Sequence, residues 1–345
     1  MSHKTLYKVC VRCCVSDNRT KYVLGRDDGV LVLRREGGEM LDLLKAHNGK
    51  VWCLHRVSSS PSFSFASGSD QGVVKIWQAG SSLKLVSTCI GHVRAVWSMC
   101  CIKRHFEITR LATASADSTV RIWNIQSGAC LRTLGHIDTG TILSISVSPD
   151  QRSFAYAGDD HTVRLSNVHY DNSSVVLRGH VAAVYKVLFL KSNLYKLVTS
   201  SWDRTIRVWD LNTEKNTVIL KGHSRCVRDM VELTSNRLLS AADDGSIGLW
   251  CLRRESLICI IQAHEKTIGK LFVLDDDEDD DFVASISDDG KIKLWDFSVN
   301  SRNTTSSPSA LLTFDGNRSN YLLDIARLAN GLVSTCELGS AVEWI

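Results

Sequence analysis

Short runs in which apolar and polar residues alternate recur along the whole chain, and this period of two predicts β-strands. Residues 179–210 show the pattern most fully. A Gly-His pair is followed by an alternating run at 184–189, a polar break and a second apolar run at 197–200. After a turn, a third run ends in Trp209-Asp210. The segment therefore predicts three consecutive strands joined by short connections.

The same unit recurs at a nearly fixed period. When the position of Trp209 is taken as a mark, the equivalent residues are 41 to 49 positions apart. The marks are Arg34, Trp77, Trp123, Ser166, Trp209, Trp250, Trp295 and Trp344. Further apolar runs between the marks, such as 83–88, predict a fourth strand per unit. The chain is therefore an array of repeats.

Repeats bounded by a Gly-His pair and a Trp-Asp pair resemble those of the WD-repeat family of β-propellers. The resemblance extends over the whole chain and implies one all-β domain, residues 1–345. The marks predict eight four-stranded blades, and seven, the commoner number in the family, is the alternative. We expect residues 2 to 8 to pair with the last repeat, so that the N- and C-terminal segments close the ring and leave no open sheet edge.

Composition narrows the class without giving a function. The 345 residues are 44% hydrophobic and 23% charged, as in ordinary soluble globular proteins. A net charge of +4 is too small to indicate nucleic acid binding. The sequence shows no signal-peptide core and no run of transmembrane length. We therefore expect a cytoplasmic or nuclear protein with reduced cysteines and no membrane contact.

In four repeats the resemblance places a histidine, a hydroxyl residue, an aspartate and a tryptophan at the family's structural tetrad. The four sets are His92, Thr113, Asp117 and Trp123; His180, Thr199, Asp203 and Trp209; His223, Ser240, Asp244 and Trp250; and His264, Ser285, Asp289 and Trp295. Such side chains also form catalytic triads. Recurrence in several blades favours a structural role, in which buried polar groups satisfy one another.

Two repeats depart from this pattern. Repeat two has Gln71 in place of the tetrad aspartate, with Asp70 beside it. Repeat four has Tyr156 and Ser166 in place of the hydroxyl residue and the tryptophan. We expect both blades to be less rigid than their neighbours.

No other motif indicates catalysis or a cofactor. Cys10, Cys13 and Cys14 form a C-x-x-C-C run, but a zinc site normally needs two ligand pairs, and the sequence has no second pair. No glycine-rich phosphate-binding loop occurs. We therefore expect no metal, no cofactor, no small-molecule substrate and no enzymatic activity.

The resemblance implies that partners bind on the top face of the propeller, around the mouth of its channel. The expected positions are the third and fifth residues after each Gly-His histidine and the residue before each tetrad aspartate. The candidates are Lys50, Trp52, Asp70, Trp97, Asp159, Tyr185, Trp202, Arg228, Asp243 and Asp288, and the outer repeats add Arg12, Asp27, Tyr321 and Glu337. Exposed aromatic side chains are typical of binding hot spots. Carboxylates around them suit a peptide carrying Lys or Arg, and they disfavour nucleic acid.

Two polar segments interrupt repeat seven, Asp275 to Asp281 and Asn300 to Ser309, and the resemblance places both on the bottom face. Charge runs are usually solvated. A docking site for a basic partner is the alternative.

The leading hypothesis is a non-catalytic scaffold that binds peptide or protein partners on its top face within a multiprotein complex. The alternative is a substrate-receptor or ubiquitin-binding subunit of the ubiquitin system. Some propellers of cullin ligases carry W-D-x-R after the third strand, whereas the segment 209–212 reads WDLN and lacks the arginine. That departure weakens the alternative.

Overall fold

The computed structural model describes residues 11–16, 20–37, 39–58, 63–104, 107–135, 140–168, 174–234, 236–274, 281–297, 310–315, 322–327, 332–336 and 341–344. Their regular secondary structure is entirely β-strand, as the alternating pattern predicts. In this part of the chain no helix is long and apolar enough to cross a membrane. The all-β prediction is confirmed.

Consecutive strands pair antiparallel in separate sheets, in chain order. Blade 1 consists of β1 (Val11–Ser16), β2 (Lys21–Arg26), β3 (Val30–Arg35) and β4 (Met40–Lys45); blade 2 of β5 (Val51–Ser58), β6 (Phe63–Ser69), β7 (Val74–Ala79) and β8 (Leu83–Cys89). Blade 3 consists of β9 (Val96–Arg104), β10 (Glu107–Ser115), β11 (Thr119–Asn124) and β12 (Cys130–Gly135); blade 4 of β13 (Ile142–Val147), β14 (Ser153–Gly158), β15 (Val163–Asn167) and β16 (Val175–Leu177). Blade 5 consists of β17 (Val184–Phe189), β18 (Lys196–Ser201), β19 (Thr205–Asp210) and β20 (Lys215–Lys221); blade 6 of β21 (Val227–Leu233), β22 (Arg237–Ala242), β23 (Ser246–Cys251) and β24 (Ser256–Gln262). Blade 7 consists of β25 (Ile268–Val273), β26 (Phe282–Ser287), β27 (Lys291–Asp296) and β28 (Ala310–Asp315), and a last sheet of β29 (Leu322–Arg327), β30 (Leu332–Cys336) and β31 (Ala341–Trp344).

The sheets form a closed ring. The first strand of each sheet contacts the first strand of the next, from β1 and β5 onward to β25 and β29, and β29 contacts β1. The first strands are therefore the innermost ones and surround the central channel. The three-stranded sheet lies between blade 7 and blade 1.

The prediction of eight four-stranded blades is wrong. Seven sheets have four strands, the number held as the alternative, and the last sheet has three strands among the described residues. The physical reason is that the marks count third strands, and a third strand forms whether or not a fourth strand pairs with it. The expected pairing by residues 2 to 8 lies outside the described residues.

Each mark lies on a third strand and is paired with the residue twelve positions earlier on the second strand, as Trp209 is with Leu197. The marked tryptophans from Trp77 to Trp295 are buried. They pack between neighbouring sheets: Trp123 of blade 3 shares one apolar core with Ile76 and Val74 of blade 2. The same contact recurs around the ring and holds adjacent blades together.

The turn between the second and third strands has one conformation in seven sheets. Its third residue has a positive φ, whether glycine, as at Gly72 (80°), or not, as at Arg204 (69°). In blade 5 the preceding Asp203 caps the turn, because Thr205 N–H donates to its Oδ1 (2.9 Å). A Cβ at Gly72 would lie 2.3 Å from the backbone oxygen of His92. The turn therefore packs closely on the histidine loop of the next blade, and both lie on the top face.

Candidate functional site

A β-bulge occurs at the same place in the innermost strand of every sheet. The register shifts across one residue in each case, for example between Val51 and Cys53 and between Val184 and Lys186. The bulged residues are Arg12, Trp52, Trp97, Leu143, Tyr185, Arg228, Gly269 and Leu323. The bulged residues lie at the same level of adjacent innermost strands, so these positions form a ring at the channel mouth, which we call the bulge ring. On blades 2 to 6 the bulge re-aims the side chain away from the regular pleat.

A backbone hydrogen bond joins the other two predicted positions in six blades. The residue before the tetrad aspartate donates to the carbonyl of the third residue after the histidine, as Trp202 N–H does to Ala183 O (2.9 Å). The equivalent pairs are Asp70 and Lys50, Ala116 and Ala95, Asp243 and Cys226, and Asp288 and Thr267, and also Asp159 and Thr141 in blade 4, where two extra residues follow the histidine. The structure therefore brings the three predicted positions of each of these blades together at the rim of the mouth.

Two tryptophans of the bulge ring form an aromatic cluster between blades 2 and 3. The ring centroids of Trp52 and Trp97 are 4.6 Å apart, with their planes tilted by 38°. Trp97 is 39% exposed and Trp52 is partly buried. The two indoles support each other and leave one apolar surface open at the mouth.

A second cluster lies on blades 5 and 6. The rings of Tyr185 and Trp202 are 6.2 Å apart, and Trp202 is 56% exposed. On the other side, the guanidinium carbon of Arg228 lies 5.2 Å from the centroid of Tyr185. Arg228 also donates from Nε and Nη2 to the two carboxylate oxygens of Asp243. An internal cation therefore already occupies the open face of Tyr185.

The carboxylates on this face are partly neutralised by basic side chains. Lys50 Nζ lies 3.8 Å from Asp27 Oδ2, and Arg228 pairs with Asp243. Asp159 is exposed and accepts a hydrogen bond from Thr141 N–H (3.2 Å). The face is therefore a mixture of aromatic, acidic and basic groups, and not the simple ring of acids that the sequence suggests.

The structure adds three exposed aliphatic side chains that sequence reasoning missed. Ile90, Val93 and Val181 are each more than 70% exposed. Val93 and Val181 directly follow the histidines of blades 3 and 5. Each lies four residues before the bulged aromatic residue of its blade, Trp97 or Tyr185. The available signal was an aliphatic residue directly next to the Gly-His pair in each of these positions.

Four of the predicted residues meet in each regular tetrad. In blade 5, His180 Nδ1 lies 2.7 Å from Asp203 Oδ2, and Nε2 lies 2.7 Å from Thr199 Oγ1. Trp209 Nε1–H donates to the same hydroxyl oxygen (2.9 Å). Blades 3 and 7 repeat these contacts. The carboxylate favours the tautomer with the proton on Nδ1, so the hydroxyl donates to Nε2.

In blade 6 a serine separates two members of the tetrad. His223 Nδ1 lies 2.8 Å from Ser246 Oγ, and Ser246 donates to Asp244. His223 and Asp244 are 3.9 Å apart at their closest atoms. Asp244 still accepts from Ser224 N–H (2.8 Å), so the loop after the histidine remains anchored.

Hydrogen bonding keeps the tetrad carboxylates ionised. Burial raises the pKa of Asp289, but His264 together with hydrogen bonds from the backbone N–H groups of Lys291 and Glu265 outweighs burial and brings the pKa to about 2. The pKa of Asp203 lies well below its ordinary value for the same reason, since burial is opposed by hydrogen bonds from His180 and Thr205. Burial lowers the pKa of His180 despite the neighbouring carboxylate. The imidazole is therefore neutral at pH 7.

Blade 2 keeps three members of the tetrad without the carboxylate. His47 Nε2 lies 2.7 Å from Ser67 Oγ, which accepts from Trp77 Nε1–H (2.8 Å). His47 Nδ1 is buried without a hydrogen-bond partner among the described residues, and Gln71 is exposed. Burial, with the positive charges of Lys75 and Lys45, lowers the pKa of His47 to about 3.

Replacing His47 with Gln is expected to reduce the pH dependence of unfolding by about 1.4 kcal/mol per pH unit over most of the interval between 6.5 and 3. In that interval the unfolded chain binds a proton at His47 and the folded chain does not, so stability falls as pH falls. Urea denaturation at a series of pH values measures the slope. Gln71→Asp places a carboxylate beside Nδ1 and is expected to raise the pKa of His47 in the folded chain. The pH interval over which His47 affects stability then becomes narrower. If the free energy of unfolding of His47→Gln changes with pH as steeply as that of the wild type, the pKa of His47 is not lowered in the folded chain.

Blade 4 departs from the tetrad as the sequence indicates. Tyr156 is buried and stacks on Phe154 with 6.0 Å between ring centroids. Burial raises the pKa of Tyr156. His136 lies outside the described residues, as do Cys10, Tyr321, Glu337, residues 275–280 and the 300–309 loop. Within the described ranges, no group of three or more His, Cys, Asp or Glu residues could hold a metal ion.

The ring of four-stranded sheets with recurring tetrads defines a β-propeller. The family model of the WD domain, G-beta repeat, matches residues 38–78, 83–124, 128–166, 172–210, 214–251 and 255–296, more than half of the chain. The chain therefore belongs to the WD40 repeat family.

Two curated relatives illustrate the similarity. The chain is 27% identical over 271 residues to nuclear distribution protein PAC1 of Arthroderma otae, covering 76% of this chain and 53% of that protein. It is 29% identical over 152 residues to Elongator complex protein 2 of Danio rerio, covering 41% of this chain and 18% of that protein. The chain thus spans about half the length, or less, of these relatives.

Solved structures show the same fold. The C-terminal WD40 domain of Sif2 superposes with a TM-score of 0.82 at 17% identity and covers 97% of this chain and 95% of that one. The computationally designed Ika8 protein superposes with a TM-score of 0.80 at 22% identity and covers 98% of this chain and 96% of that one. At these identities the likeness concerns the fold alone.

Proposed function

We propose that this chain is a non-catalytic scaffold whose top face binds a peptide or protein partner within a multiprotein complex. The observation that carries the proposal is the pair of aromatic clusters at the bulge ring, Trp52–Trp97 and Tyr185–Trp202. Large aromatic side chains that stay exposed and mutually supported are typical of binding hot spots. The neighbouring exposed aliphatic residues Val93 and Val181 extend this apolar area.

The tetrads give no support for catalysis. A catalytic hydroxyl must reach a substrate, whereas Thr113, Thr199, Ser240 and Ser285 have no exposed surface. Each hydroxyl is also occupied by a tryptophan N–H and a histidine ring nitrogen. These groups anchor the histidine loop to the turn opposite it.

A basic side chain of the partner fits best beside blades 4 and 5. Arg228 covers Tyr185 and pairs with Asp243, so those groups are already engaged. Trp202 is exposed, and the exposed Asp159 is close enough to influence the ionisation of Tyr185. A Lys or Arg of the partner at this point would gain both ion pairing and contact with the indole face.

The name of one relative supports a role within a protein complex. One carries the name Elongator complex protein 2, which describes a member of a complex. No contact among the described residues favours the ubiquitin-system alternative.

Trp97→Ala is expected to weaken partner binding by on the order of 2 kcal/mol, about thirtyfold in Kd, because it removes half of a hot-spot cluster. Affinity purification with quantitative mass spectrometry, comparing wild type with Trp52→Ala/Trp97→Ala, identifies the proteins lost, and titration calorimetry then measures Trp97→Ala. Leu131→Ala is the matched control, since Leu131 is 48% exposed on the outer strand β12. A partner set that is unchanged in the double variant would overturn the top-face assignment, as would one reduced equally by Leu131→Ala.

A further inference from the structure

The bulge ring has a gap at blade 7. Its described members on blades 2 to 6 all carry side chains, whereas blade 7 has Gly269. A Cβ at Gly269 would have no other atom within 4 Å, and the residue is exposed. A chain approaching the mouth can therefore come close to the backbone at this point, which we call the Gly269 notch.

A fixed hydrogen-bond donor borders the notch on blade 6. Arg228 uses Nε and Nη2 on Asp243, and its guanidinium stacks on Tyr185. Its Nη1 has no hydrogen-bond partner among the described residues, and the side chain is 40% exposed. Because the planar group is held on two sides, it can donate to a guest with little further loss of conformational entropy.

A hydrogen-bond acceptor borders the notch on blade 7. Asp288 is half-buried, and its N–H donates to Thr267 O (2.9 Å), which fixes its backbone beside the bulge. Its carboxylate has no hydrogen-bond partner within the part of the chain that the structure describes. Burial raises the pKa of Asp288, and Arg228 opposes that effect. A hydrogen-bond donor from a guest would stabilise this carboxylate.

We propose that the Gly269 notch binds the uncharged backbone of one residue in an extended partner segment, whose carbonyl accepts from Arg228 Nη1 and whose N–H donates to Asp288. The inference rests on the proposed top-face function and assigns one contact within it. A donor and an acceptor side by side match the carbonyl and N–H of one residue, which point to the same side of an extended chain.

The surrounding charges favour a neutral guest. An additional cation in the notch would face Arg228, which already acts on Asp288, and the exposed Lys266. A carboxylate would face Asp243 and Asp288. The backbone of an extended peptide avoids both repulsions, and its side chains remain free to reach the aromatic clusters.

The test uses the full chain and a peptide selected from a random display library for binding to it, synthesised with each backbone amide in turn replaced by an ester. An ester removes one N–H without changing the side chains. We expect one position at which the ester weakens binding to wild type about tenfold, as for a hydrogen bond to a charged group. Asp288→Ala should remove that effect, leaving less than about a twofold difference at the same position. Equal ester effects on both proteins would overturn the proposal.

Two further variants separate this inference from the general function. Gly269→Val fills the notch at a position with free space and a φ outside the left-handed region, so it should fold and lose the selected peptide. Leu131→Ala should bind it normally. If Trp97→Ala abolishes binding while Gly269→Val leaves it intact, the top face is correct and the notch is wrong. If neither variant affects any selected peptide, the top-face function itself fails.

Discussion

Trp209→Ala is expected to lower the free energy of unfolding by about 3–5 kcal/mol, as large-to-small changes in a core do. Trp209 is 1% exposed and packs between the second and third strands of blade 4 and the first strand of blade 5. Its removal leaves a cavity at the contact between two blades. Thr199 Oγ1 also loses the hydrogen bond that it accepts from the indole N–H at 2.9 Å. The tetrad hydroxyl then keeps only part of its hydrogen bonds.

Urea denaturation of the purified chain, followed by circular dichroism, measures this loss. Trp209→Phe separates the two causes, because it keeps most of the apolar volume and removes the N–H. Trp97→Ala is the matched control, since Trp97 is 39% exposed at the channel mouth. Its stability is expected to remain close to that of wild type. Equal losses in Trp209→Ala and Trp97→Ala would show that the division between core and surface tryptophans is wrong.

The fold was accessible from the sequence because one residue per repeat is both large and fixed in register. A tryptophan on the third strand, paired twelve residues back with an apolar residue such as Leu197, leaves a periodic trace. Even Arg34 and Ser166, which replace the tryptophan, keep the same pairing. The number of four-stranded blades was not accessible in this way, because no periodic residue marks the fourth strand. Outer strands carry many exposed residues, as β24 and β28 do, and their presence depends on pairing rather than on a marked residue.

The places of the candidate residues on the fold were predictable, whereas their contacts were not, and their role in binding stays a prediction. The family resemblance, applied through the spacing from the histidine, implied that Trp52, Trp97 and Tyr185 lie at the mouth, and all three occupy the recurring bulge. Spacing within one repeat contains no information about the next blade. Arg228 of blade 6 stacks on Tyr185 of blade 5. The face of Tyr185 that was expected to meet a Lys or Arg of a partner is therefore already occupied.

The aspartate run at 275–281 shows how charge alone misleads about a single residue. Asp281, its last member, is 1% exposed and accepts hydrogen bonds from the N–H and hydroxyl of Thr234, both at 2.9 Å. It also pairs with Arg237, which is 3% exposed. Asp281 therefore joins blade 7 to blade 6. It is neither a solvated loop residue nor part of a docking site for a basic partner. The solvated loop and the docking site remain predictions for the other members, which lie outside the described residues.

Asp281→Ala is expected to destabilise the chain by about 3–5 kcal/mol, because it leaves the guanidinium of Arg237 buried without this carboxylate. Thr234 loses two hydrogen bonds in the same change. Urea denaturation at pH 7 measures the loss, and Asp150→Ala, which removes an exposed carboxylate from blade 4, is the control. The double variant Arg237→Met/Asp281→Leu is expected to recover part of the stability, since apolar side chains of similar size avoid the desolvation of both charges. A loss in Asp281→Ala no larger than in Asp150→Ala would mean that the charge of Arg237 is satisfied elsewhere.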